Sequence, residues 1–166
     1  MFETMNGRAV SWSELEATAN IGGGIPLIQP DLKSCDHESK VDRGEKRGAS
    51  GGRVVARTTG AVSNSASATW YRAGLRDFKK ALSNAAVSAG HVNSDGHVQL
   101  SKVPFDLVIT HSYEDDPEIY VVKLLGCHLD KDSGKHAEGT DAETIDVDLN
   151  PLRIVEIVNG IDTVLL

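Results

Sequence analysis

Aromatic residues are scarce. Three Phe, three Tyr and two Trp make up 5% of the 166 residues. Trp12, Trp70 and Tyr71 are the main candidates for a sugar-binding platform, and two tryptophans at strand positions more often serve core or interface packing. Cysteine is scarcer still. Cys35 and Cys127 are far apart and match no C-x-x-C spacing, which excludes the zinc-ribbon and thioredoxin-type motifs and leaves two reduced thiols as the plain expectation. No apolar run approaches the ~20 residues of a membrane span. The start, Met1-Phe2-Glu3-Thr4-Met5-Asn6, has no basic region followed by an apolar stretch, so no signal peptide is expected. The expectation is soluble synthesis in the cytoplasm without membrane binding. Positive charge is outweighed: the formal net charge is −7, which argues against high-affinity nucleic-acid binding.

What is present is an ordinary apolar fraction of 40% with abundant small residues. The length suits one domain over residues 1–166, large enough for a core without metals or disulfides. Charge is unevenly spread. From Val103 onward there are fourteen Asp/Glu against four Lys/Arg. Between Lys33 and Arg57 the bases Lys33, Lys40, Arg43, Lys46, Arg47, Arg53 and Arg57 outnumber the acids Asp36, Glu38, Asp42 and Glu45. An acidic zone and a mildly basic zone on one chain suggest self-complementary assembly.

The hydrophobic pattern is mostly of period two. Residues 7–20 read as one strand, Gly22-Gly23-Gly24 as a bend, and Ile25–Pro30 as extended. The stretch 34–52 holds one sizeable apolar residue, Val41, and reads as a long polar loop that orders against a partner. Residues 53–59 and 61–71 read as two strands, the second with Val62, Ala66, Ala68 and Trp70 on one face and hydroxyls on the other. From Arg72 the period lengthens: Leu75, Phe78, Leu82 and Ala85/Ala86 form the stripe of an amphipathic helix, with Gly90 as its C′ residue. Asn93–Gly96 is a turn. Residues 105–113 and the nearly continuous apolar run 119–129 form a hairpin, the second strand expected to be buried on both faces. Residues 130–141 read as a polar loop. Thr144–Leu149 alternates strictly, leaving Asp146 and Asp148 on one side, and Asn159-Gly160 closes a last hairpin. Seven or eight strands and one helix make a mainly β fold, a β-sandwich or barrel with one packed helix.

Catalytic signatures are missing: no G-x-S-x-G, H-E-x-x-H, P-loop or strand-linked G-x-G-x-x-G. No enzyme activity, cofactor or metal is expected. Asp130-x-Asp132-x-Gly134 opens like a calcium loop, then has Lys135 where Gly is needed and Asp141 where Glu would chelate. The histidines show no ligand spacing; His111, His128 and Cys127 could meet only across strands. Glu114, Asp115 and Asp116 read as a turn.

An ordered set of segments resembles the tail tube proteins of tailed bacteriophages. It runs from Asn6–Trp12, through Arg57-Thr58-Thr59-Gly60, Trp70-Tyr71-Arg72 and the helix, to Leu125-Gly126-Cys127-His128-Leu129, Ile145–Pro151 and Asn159-Gly160. Trp70 stands where that family more often has Leu, and the stretch 87–103 is longer and more polar. The resemblance implies a structural virion protein. Hexameric rings would stack into a hollow tube, with a continuous inner β-barrel and the helix outside. DNA would pass through during ejection without specific binding. It implies a long inter-ring loop at about 33–53 (Lys33, Cys35, Lys40, Arg43, Lys46, Arg47, Arg53), with Asp146 and Asp148 as candidate lumen charges and a Cys35–Cys127 bridge between copies as a candidate disulfide. Partners would be the tail sheath if the tail is contractile, the type preferred here although no residue decides it, together with baseplate and terminator proteins. Alternatives are an injection-system tube or baseplate tube-initiator subunit, or a carbohydrate-binding β-sandwich.

Overall fold

Alternating strands are gathered into three antiparallel sheets of two, four and six strands. The computed structural model describes residues 3–5, 8–10, 15–22, 24, 26–49, 52–113, 116–134, 139 and 142–164; Trp12, Glu114, Asp115, Lys135, His136 and Asp141 lie outside them. The strand expected over residues 7–20 is divided between β2 (Arg8–Val10), which pairs with β1 (Glu3–Met5), and β3 (Leu15–Ile21), which pairs with the short β4 (Leu27–Ile28).

The polar stretch expected as a loop is a strand. β5 (Leu32–Arg47) pairs along its length with β6 (Val54–Tyr71). Lys33, Cys35, Lys40, Arg43, Lys46 and Arg47 all sit on β5, and Arg53 lies just before β6. Lack of apolar residues argued for a loop, but backbone pairing needs none when both strand faces are solvated. The two strands expected over 53–71 are likewise one. Their apparent break is a bulge: Val41 pairs with Val62 and Arg43 with Thr59, so β6 carries one extra residue around Gly60. A Cβ on Gly60 would stand 2.7 Å from the Asp42 carbonyl oxygen, so the close approach demands glycine.

Helix α1 (Arg72–Ser88) follows β6 directly and buries Leu75, Phe78, Leu82 and Ala86. It ends as the glycine predicts: Gly90 has φ +76°, its N–H bonds Val87 O, and the His91 N–H bonds Ala86 O. That is a Schellman cap. A 3-10 turn (Leu100–Lys102) leads to the hairpin β7 (Phe105–Tyr113) and β8 (Asp116–Cys127). β8 is buried on one face only. Val122 and Leu124 point inward, Val121 and Lys123 are half-buried, and Ile119 is exposed, because this sheet is an outer layer. The loop expected over 130–141 begins as β9 (Leu129–Gly134), which pairs with β10 (Thr144–Leu149). β11 (Arg153–Val158) and β12 (Ile161–Val164) close on Asn159 (φ 50°) and Gly160 (φ 77°), the positive pair a type I′ turn requires.

The four-stranded sheet runs β5-β6-β10-β9 and the six-stranded sheet β12-β11-β8-β7-β3-β4. Their facing sides make the core. Ala66, Ala68, Trp70, Val147 and Leu149 meet Leu107, Val122, Leu124, Cys127 and Ile154, with α1 filling one side. Trp70 stacks on Phe78 at 5.5 Å, and Phe78 meets Phe105 edge-on at 5.1 Å. The expected sandwich with one helix is what forms, with twelve strands among the described residues in place of seven or eight.

Candidate assembly surfaces

The outer face of the four-stranded sheet follows from the inner one. Because Val147 and Leu149 are buried, Asp146 and Asp148 face out. Register then assembles rows across the sheet. Lys131 pairs with Asp148, Asp148 with Ser67, and Ser67 with Asp36; beside them stand Ser133, Asp146, Thr69 and Ser34. Directly paired residues point to the same side, so this face carries carboxylates separated by small hydroxyls. The Thr69 hydroxyl donates to Asp146 Oδ1 at 2.6 Å. A shallow trough of about 410 Å³ runs over Asp36, Ser67, Thr69, Lys131, Asp146 and Asp148. Asp36 and Glu38 lie in a stretch whose one sizeable apolar residue is Val41, so no apolar alternation marks their face in the sequence.

Beyond Val41 and Val62 the β5–β6 hairpin is exposed on both faces. One face carries Arg43, Glu45, Arg47 and Arg57, with Glu45 3.6 Å from both Arg47 and Arg57. The other carries Gly44, Lys46, Ala56 and Thr58. A two-stranded ribbon with no layer against it is marginal in water.

The two cysteines of the expected bridge between copies both lie in or against the core of a single copy. Cys127 is 0% exposed within the core, its thiol donating to Leu124 O at 3.4 Å. Cys35 packs against the same core, and both are free. Burial pushes each thiol up to about 12, with Asp36 adding at Cys35 and Asp106 and Cys35 adding at Cys127. Reaching Cys127 from another copy would require opening the sandwich.

The remaining candidates are dispersed. Trp70 is buried, its Nε1–H donating to Gln29 Oε1 at 3.3 Å, so no platform can use it. His128 Nδ1 meets Ser101 O at 3.0 Å, while the His111 ring packs edge-on to Tyr120. Asp130 and Asp132 stand on a strand, and Asp132 pairs with Lys79. Among the described residues no three metal-ligating side chains converge.

One feature was invisible in the sequence. A groove of about 440 Å³ lies between β5 (His37, Glu38, Ser39) and β11–β12 (Ile154, Glu156, Thr163, Val164). His37 Nε2 stands 3.7 Å from Glu156 Oε1 across it. Tyr120 is pushed up to about 12 by burial, helped by the charge of Glu156 and the hydrogen bond to it.

No protein-family model and no curated protein matches the chain in sequence. Solved structures do match in shape. A chain of the extracellular contractile injection system PVC sheath–tube complex in the extended state superposes with TM-score 0.57 at 13% identity, over 89% of this chain and 90% of that one. The SPP1 tail tube gives 0.55 at 14% identity, over 92% and 80%. This is the tail-tube fold. A chain of the anti-feeding prophage baseplate, in a six-fold symmetrised structure, shares it with TM-score 0.62 at 9% identity, over 92% and 97%.

Proposed function

We propose that the chain is a structural subunit of a hollow tube in a phage-like tail, closing into six-membered rings that stack. The carrying observation is the tail-tube fold, spanning 92% of the chain in the match to the SPP1 tail tube. Supporting it, the four-stranded sheet is antiparallel throughout and ends in two strand edges, β5 and β9, that pair with nothing further among the described residues. Free edges invite pairing, and closure between copies removes them. In this reading the four-stranded sheets form a continuous inner barrel with the face of Asp36, Glu38, Asp146 and Asp148 toward the lumen. Fixed carboxylates there repel a phosphate backbone, so DNA slides through without specific binding. The exposed hairpin arm, with Lys40, Arg43, Lys46, Arg47 and Arg53, reaches the adjacent ring. The subunit has no catalytic role, and its other partners are sheath, baseplate and terminator proteins of the particle.

A tube or baseplate-initiator subunit of an injection system is the second reading, favoured by the likeness to the prophage baseplate chain. Negative-stain electron microscopy of the purified, concentrated chain tests the common core: sixfold rings or tubes are expected. A monodisperse monomer at every concentration, even with a baseplate seed, would defeat it.

A further inference from the structure

The row Lys131–Asp148–Ser67–Asp36 crosses the four-stranded sheet from one free edge to the other. Its ends are of opposite sign. Lys131 stands on β9, Asp36 on β5, and Glu38 follows two residues later on the same face. None of the three makes an ion pair with a described residue. With four antiparallel strands the two edges run in opposite directions, so β9 of one copy meets β5 of the next antiparallel.

We propose, resting on the ring reading above, that β9 docks along β5 of the neighbouring copy and that Lys131 closes there on Asp36 and Glu38. The charges at the two edges are complementary, and the partner is a second copy of this chain. Barrel closure staggers the register. A two-residue stagger in one direction exchanges Asp36 for Glu38 opposite the lysine and keeps the lock, whereas the opposite stagger would bring Ser34 there.

A second observation points to the same occupant. The groove between β5 and β11–β12 opens beside that same β5 edge. Farther along those two strands, on the side of Glu156, Val158 is 42% and Ile161 70% exposed. A strand added to β5 lies over this shelf and takes its apolar side chains out of water.

The test compares wild type with Lys131→Glu, Lys131→Met and the charge swap Lys131→Glu/Asp36→Lys/Glu38→Lys. Sedimentation and electron microscopy read assembly, and circular-dichroism melting reads the fold. Lys131→Glu is expected to raise the concentration for half-assembly by about tenfold or more, with a slightly lower melt because the new carboxylate stands opposite Asp148, and the charge swap to restore assembly. Lys131→Met gives a smaller rise in the same direction, and serves if Lys131→Glu is poorly folded. Folded Lys131→Glu and Lys131→Met that assemble like wild type would overturn the lock while leaving the ring intact. A wild-type chain that never forms rings would overturn the ring reading and the lock together.

Discussion

Three elements converge on Trp70: β6 carries it, α1 stacks Phe78 on it, and Gln29 accepts its N–H. Truncating it to Ala removes that packing and leaves the buried Gln29 Oε1 without its donor, with only the Nε2 bond to Leu27 O kept. A loss of about 3–5 kcal/mol is expected, read as a shift of the urea midpoint. The thiols make a prediction of pH. Cys35 and Cys127 are raised from 9.0 to about 12 in the fold. Above pH 9 the unfolded chain gives up these protons while the folded one keeps them. Their contribution is therefore complete below pH 9 and is lost as pH rises from 9 toward 12. The thermal midpoint should fall over that interval, and less steeply in Cys127→Ala. A midpoint that falls equally in that variant would remove Cys127 from the explanation. Trp70 was legible as a core residue because alternation placed it with Ala66 and Ala68. Asp36 was not, since its role depends on Ser67 opposite it, a partner 31 positions away.

Among the elements, α1 and the Asn159-Gly160 hairpin were legible because their signals are local: a stripe, a cap glycine, two positive-φ turn residues. β5 and β9 were not. Both are polar strands ordered by pairing with β6 and β10, so their apolar content carries no signal. The exposed half of the β5–β6 hairpin adds little to the core, so it should be separable. Replacing residues 44–58 by Asn-Gly, which joins the paired Arg43 and Thr59, is expected to leave the melt unchanged. Rings should persist and tubes should not form, as judged by electron microscopy. Long tubes from this variant would mean that the arm does not join rings.

For the whole molecule, the balance of charge is the testable property. Assembled wild type should not retard a duplex DNA fragment in gel electrophoresis. Asp146→Lys/Asp148→Lys should, with binding that falls steeply as salt rises. Equal mobility shifts for both would place these side chains away from any route that DNA can reach. The two-layer fold with one helix was legible in the pattern of periods. The assembly surfaces were less so, because an edge is defined by what fails to pair with it, and only the register of the neighbouring strands reveals that.

The sheet order β5-β6-β10-β9 also separates two questions that a ring poses. An even count of alternating strands leaves each copy with one edge pointing up and one pointing down. Any number of copies can then be joined with the same antiparallel hydrogen bonds, whereas an odd count would force a parallel seam at every junction. The bonding at the junction is thus blind to copy number. How many subunits close the circle is a matter of the angle each sheet turns through, set by twist and by the wedge of core and helix behind it. Substitutions that thin or thicken that wedge are where a ring of a different size would arise.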